Sequence, residues 1–163
     1  MKTYNKALNT KDFTISSEIF LKPDTDEEVI NVQVDILRES VDAILVTDNQ
    51  SGQVHMSSLA AGILLKKVGM DPIINFSCRN RNRISLLGDL LGCAALGLNN
   101  LLLTRGEKVP LGFKPRPKAI MDLNATELIA LANKMKWDEE LPSQNDFFLG
   151  SVVTPFGPKP VLA

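Results

Sequence analysis

The sequence predicts an α/β fold, and three observations carry that expectation. Short apolar runs rich in β-branched residues alternate with longer stretches of helical period. The alternation recurs along the chain, so each strand is followed by a crossover, the arrangement that lets neighbouring strands run parallel. Finally, 163 residues with 44% hydrophobic and 23% charged side chains suit one domain with a sizeable core.

The first unit runs from FTISSEIF (13–20) through the breaker Pro23 and a cap at Asp24 or Thr25 to a helix over 26–39, with Ile30, Val34 and Leu37 on its buried stripe. The second joins DAILVT (42–47) by the polar loop DNQSGQ to a helix over 55–68, closed by Gly69. The third joins PIINFS (72–77) to a helix over RISLLGDLLGCAALG, where Gly92, Cys93, Ala94 and Ala95 are small enough for close packing. A fourth strand, NLLLT (100–104), precedes an irregular Pro-rich segment from Lys108 to Lys118 and a helix over 125–136. FFLGSV (147–152) is the fifth strand. Residues 1–12 read as an N-terminal arm, 13–153 as the α/β unit, and 154–163 as a Pro-rich tail.

Composition narrows the function classes. Eighteen basic and 19 acidic side chains leave a net charge of −1, which recommends neither nucleic acid nor an anionic membrane as partner. No apolar run approaches the roughly 20 residues that cross a bilayer, and MKTYNKALNTKDF lacks a signal peptide's apolar core, so a cytoplasmic location is expected. Two cysteines outside any CxxC pair and a single histidine argue against a disulfide framework or a Cys/His zinc cluster. Neither GxGxxG after a strand nor GxxxxGK[ST] occurs, so Rossmann and P-loop sites are not supported.

In parallel α/β proteins ligands gather beyond the carboxyl ends of the strands. There the sequence places Glu18, then Thr47 with Asp48 and Asn49, then Asn75 with Arg79, Arg81 and Arg83, and then Arg105-Gly106-Glu107. Glu18 lies in an otherwise apolar strand, so it faces solvent, finds a partner, or serves as a proton donor. Arg105-Gly106-Glu107 suits a polar ligand held close to the backbone, or a surface salt bridge. The arginines of CRNRNR read first as a solvated loop and second as a phosphate or polycarboxylate site. His55 reads as a surface or capping residue, and Cys78 as packing, since no second histidine stands ready to activate it.

At these same residues the sequence resembles the methylenetetrahydrofolate reductase family, flavin enzymes built on a (β/α)₈ barrel. SSEIFLKP resembles the family's first strand, usually FEFFPP, and LVTDNQSG resembles its SVTYGANSG. CRNRNRISLLGDLLGCAALGLNNLLLTRGE resembles CRDRNRxxLxSDLLGAxxLGIxNxLxLxGD of a bacterial branch, and KAIMDLNATELI resembles that branch's VFDLDSxQL.

The resemblance implies a partial (β/α)₈ TIM-barrel with about five parallel strands. It implies FAD lying across the strand ends, reduced by a nicotinamide (NADH or NADPH) and reducing 5,10-methylenetetrahydrofolate to 5-methyltetrahydrofolate. By motif position Glu18 is the implied general acid at the folate nitrogen, and Glu107 joins it in binding folate. Flavin contacts fall to Thr47, Asn75, Arg105, Gly106, Glu107 and Ser151. Glu107 stands where the family usually has aspartate, and Asn75 where many members have histidine. A full barrel has eight strands and about 250 residues. With five strands, the chain is expected to act weakly alone and to need a second copy or another chain to complete the barrel. The alternative is a non-catalytic partial barrel that binds a partner or folate.

Overall fold

The structure is a computed structural model that describes residues 3–108, 112, 114–135 and 146–153. Its elements follow in chain order as α1 (Tyr4–Thr10), β1 (Ser16–Glu18), α2 (Glu27–Leu37), β2 (Ala43–Val46), a single 3₁₀ turn (Gln50–Gly52), α3 (Ser58–Lys67), β3 (Pro72–Ser77), α4 (Arg83–Leu96), β4 (Asn100–Thr104), α5 (Ala125–Lys134) and β5 (Phe148–Gly150). The five strands form one sheet in the order β1-β2-β3-β4-β5, every pair parallel. Strands that neighbour one another in chain order, with no reversal, are the arrangement of a (β/α)₈ barrel rather than of a doubly wound sheet. The sheet is thus a partial barrel of five strands, as the sequence leads one to expect.

The two faces of the sheet differ. Ile19, Ile44, Val46, Ile74, Phe76, Leu101 and Leu103 are at most 1% exposed and pack against the helices. Glu18, Leu45, Ile73, Asn100 and Phe148 stand in register across the opposite face. On that face Glu18 and Phe148 are exposed and Leu45, Ile73 and Leu102 only half-buried. Ile30 and Val34 of α2 are fully buried, as their spacing predicts. In α3, a Cβ on Gly62 would strike the Ile74 side chain, so the helix lies directly on β3.

Several boundaries depart from expectation for local reasons. The cap of α2 is Asp26, which accepts from the Val29 N–H at 3.0 Å, while Thr25 turns its hydroxyl to the Lys22 N–H. β1 is shorter than 13–20; beyond its carboxyl end the Gln33 amide occupies both backbone groups of Phe20, at 2.8 and 3.1 Å, and ahead of it the Ile15 N–H donates to Asp42 Oδ2 at 3.0 Å. β5 stops at Gly150, after which the Ser151 hydroxyl donates to Leu103 O at 2.8 Å. α3 begins at Ser58, behind the cap Ser57, and not at His55. Gly69, at φ +81°, does close this helix, donating to Lys66 O.

The N-terminal arm carries a helix that the sequence reading does not foresee. Thr3 caps α1, and the Tyr4 N–H donates to Asp71 Oδ2 at 2.6 Å just ahead of β3. Tyr4 meets Phe148 edge to face with centroids 6.2 Å apart, and Lys11 pairs with Asp42 ahead of β2. These contacts lay α1 across the amino ends of the strands, leaving the carboxyl ends open. The expected tail 154–163 and part of the Lys108–Lys118 segment lie outside the described residues. No helix among the described residues is long and apolar enough to cross a membrane.

Candidate functional site

A cavity of about 530 Å³ opens at the carboxyl ends of β2 to β5, and Thr47, Asn75, Arg105, Gly106, Glu107 and Ser151 all line it. Glu18 lines a smaller cavity of about 180 Å³, together with Ser51 and His55. Thr47 and Gln50 line both. Six of the seven residues singled out from sequence therefore surround one space, and the seventh adjoins it. Consecutive parallel strands bring this about, because each ends at the same side of the sheet and contributes the residues that follow it.

The residues differ in what they leave free for a ligand. The amide of Asn75 is committed to the sheet. It donates to Leu102 O at 2.8 Å and Thr104 Oγ1 at 3.3 Å, and its Oδ1 accepts from the Asp48 N–H at 3.3 Å. Glu107 reaches across the mouth to accept from the Ser51 N–H at 2.7 Å. Among the described residues Arg105 has no ion pair, and it is an exposed residue that lines the cavity. Glu18 ends β1 exposed on the open face, the first of the three outcomes its sequence context allowed. Gly106 is at φ +85°, and a Cβ there would lie 2.8 Å from Arg79 Cβ and 2.9 Å from Ser77 Cβ. Only glycine serves at a position with that backbone and that proximity.

Two of the three arginines of CRNRNR are not the solvated side chains expected first; Arg79 and Arg81 are engaged inside the protein. Arg81 forks onto Asp48 at 2.5 and 3.1 Å and donates from Nε to Asp89 at 2.8 Å, with its guanidinium 5.5 Å from the centre of the Phe76 ring. Asp48 has a fully buried side chain, and it also accepts from the Ser77 N–H at 2.9 Å and the Ser77 hydroxyl at 2.6 Å. Arg79, 3% exposed, donates to Asn49 O at 2.8 Å. Arg83 alone is on the surface, forked onto Asp122 at 2.9 and 3.0 Å. The spacing within CRNRNR does not reveal these partners, because Asp48 lies about thirty residues upstream on another strand end.

Electrostatics agree with the geometry. Burial alone would lower the pKa of Arg81, but its hydrogen bonds and charge pairing with Asp48 and Asp89 outweigh that and hold it above its usual value. Burial pushes the Asp89 carboxyl up and the nearby negative charge of Asp48 adds to this, while the charge and hydrogen bond of Arg81 offset it only in part. Burial, aided by the charge of Glu127, pushes the Cys78 thiol up, and Cys93 is raised to about 12, which leaves both thiols protonated packing residues. His55 is half-buried and caps nothing. Its Nε2 accepts from the Asn49 N–H at 3.1 Å while Nδ1 meets Met56 O at 2.7 Å, a pattern that fits a neutral ring protonated on Nδ1.

Sequence reasoning missed Gln50, Ser77, Thr104 and Ala125 among the lining residues. Ser77 and Thr104 were within reach of it, since they are the last residues of β3 and β4. No group of three or more His, Cys, Asp or Glu among the described residues is placed to hold a metal ion. No curated protein is found to match the chain. Residues 3–153, nearly its whole length and every strand that lines the cavity, match the family model for methylenetetrahydrofolate reductase, and the chain belongs to that family.

Proposed function

We propose that this chain binds FAD at the strand ends and reduces 5,10-methylenetetrahydrofolate to 5-methyltetrahydrofolate, with NADH or NADPH as electron donor, in the cytoplasm. The observation that carries the reading is the single 530 Å³ cavity that gathers Thr47, Asn75, Arg105, Gly106, Glu107 and Ser151. The lining suits a flavin in kind: Leu102, Ala125 and Val152 offer apolar surface to a flat ring, and Arg105 offers an uncommitted cation to a pyrophosphate. The bound flavin would supply hydride transfer, and the protein the orientation and the proton. Glu18 is the proton donor to the folate nitrogen, and Glu107 the second folate contact. Thr47 and Ser151 hold flavin by their hydroxyls, while Asn75 works through the sheet that it cross-links.

A second reading is favoured by one observation. Among the described residues β1 and β5 are the outer strands of the sheet, each with one strand neighbour, and Leu45, Ile73 and Leu102 on its open face are only half-buried. A second copy or another chain pairing with those edges would complete the barrel and finish the folate site. In that case the chain alone binds a partner or folate and catalyses little.

An absorption spectrum and a native mass of the purified chain separate the two. Flavin bands that bleach with NADH or NADPH support the enzyme. A colourless protein that gains flavin only with a partner supports the second reading. In a flavin-loaded protein, Glu18→Gln should slow folate reduction about 10²- to 10⁴-fold and leave nicotinamide-driven flavin reduction nearly unchanged, because only the folate step needs a proton from the protein. Equal losses in both half-reactions would remove Glu18 from that role.

A further inference from the structure

Between the two cavities stands the turn Gln50–Gly52, and its base and tip are fixed very differently. At the base, Arg79 donates to Asn49 O at 2.8 Å, His55 accepts from the Asn49 N–H at 3.1 Å, and the Asn49 side chain donates to Gln53 O at 3.0 Å. Beyond Asn49, the bond that ties the tip to another part of the site among the described residues is Ser51 N–H to Glu107 Oε2, at 2.7 Å and 56 positions away in the chain. The turn is also held against its own preference, at its base and at its tip. Asn49 (φ 49°, ψ 51°) and Ser51 (φ 52°, ψ 19°) both occupy the left-handed region, which is unfavourable for a residue with a Cβ and for serine more than for asparagine. A strained, exposed turn with a rigid base and one long-range tether is the kind of element in which loss of that tether relieves strain.

Where the tip stands gives that loss a consequence. Gln50 lines both cavities, Ser51 the smaller one with Glu18, and Glu107 the larger one with Arg105. We propose that Gln50–Gly52 is a gate, latched by Glu107, that closes the passage between the cavity of Arg105 and the cavity of Glu18. Releasing the latch joins the cavities and at the same moment frees the Glu107 carboxylate at the junction, an acceptor that the closed gate keeps occupied. The length of the Glu107 side chain sets the latch, since an aspartate would keep the charge but end one methylene short of Ser51. The latch stands on the protein's own contacts, whereas the identity of what passes through it rests on the flavin and folate reading above.

The test has two arms. In the full, ligand-free chain, amide hydrogen exchange read by NMR should quicken at least tenfold at Ser51 and Gly52 in both Glu107→Asp and Glu107→Ala. Glu107→Gln, which keeps the reach, should change it less than threefold, and Ala61 and Leu65 in α3 should be unaffected in all three, which shows that the fold is intact. Unchanged exchange at Ser51 in Glu107→Asp and Glu107→Ala would overturn the latch. In FAD-loaded protein, the rate of 5-methyltetrahydrofolate binding should level off with concentration in the wild type, with the plateau raised at least tenfold in Glu107→Asp. A rate that rises linearly and equally in both proteins would overturn the gating role. If neither FAD nor folate binds, the function proposed above fails, and the exchange arm alone decides the latch.

Discussion

Asp48→Ala probes the element on which the candidate site is mounted, and its cost follows from the contacts. The Asp48 side chain is fully buried and accepts two hydrogen bonds from Arg81 and two from Ser77. Removing one partner of a buried ion pair costs about 3–5 kcal/mol, because the other charge stays buried. Arg81 retains Asp89 at 2.8 Å and is 14% exposed, which places its share near the lower end, about 3 kcal/mol. Ser77 is 2% exposed and loses the acceptor of both its N–H and its hydroxyl, adding about 1 kcal/mol. The expected total of about 4 kcal/mol is a large part of the 5–15 kcal/mol that holds a domain together. With a urea m-value of about 2 kcal/mol/M, the midpoint followed by circular dichroism should fall by about 2 M. The double variant Asp48→Ala/Arg81→Met should recover part of the loss, because no charge is then left stranded. A single-variant loss below about 1 kcal/mol, or strict additivity in the double variant, would show that the network does not support the strand ends.

Arg105→Ala should reduce flavin retention, measured as bound flavin per chain after gel filtration. Arg83→Ala, whose guanidinium is engaged by Asp122 on the surface, should leave it unchanged; wild-type flavin content in the Arg105 variant would sink the assignment. The side-chain and backbone donors of Arg83 hold Asp122 at about 2, below its ordinary value, so folded protein binds that proton less readily than unfolded. The stabilisation is therefore complete above the unfolded value near 3.8 and lost as pH falls through about 2, and an NMR titration of Asp122 in wild type and Arg83→Ala checks it. Gly106→Ala combines a left-handed φ of +85° with Cβ approaches of 2.8 and 2.9 Å to Arg79 and Ser77. It should cost about 2–4 kcal/mol in chemical denaturation, and a loss under 1 kcal/mol would mean that the loop simply moves aside.

How far the sequence could be read depends on where each residue's partners lie. β3 and β4 match their expected limits to the residue, because both are flanked by paired strands and their apolar runs coincide with the ladder. β1 and β5 lie at the edges, where side chains such as Gln33 and Ser151 take backbone groups that a longer ladder would have used. That six of the candidate residues line one cavity was legible because parallel strands bring their carboxyl ends to one side. The fate of the arginines was not. A run of three arginines looks solvated until a carboxylate about thirty positions upstream is placed beside Arg81 by β2–β3 pairing. The Ser51–Glu107 bond was hidden for the same reason, since it spans two strands and two loops.

The helix side of the sheet is saturated, with Ile44, Ile74 and Leu103 fully buried, so additional burial has to come from the other side, where Leu45, Ile73 and Leu102 are half-buried. Leu102 also lines the larger cavity, so part of the candidate site and part of the half-buried open face are the same surface. A ligand or a partner chain that covers it binds the folded state and not the unfolded one, and stabilises by about 2.7 kcal/mol at a hundredfold excess over Kd. Occupancy of the site and stability of the sheet are thereby coupled. The coupling runs through β2 to β4, whose carboxyl ends the Asp48–Arg81–Ser77 network and the Asn75 amide already hold in place before any ligand arrives.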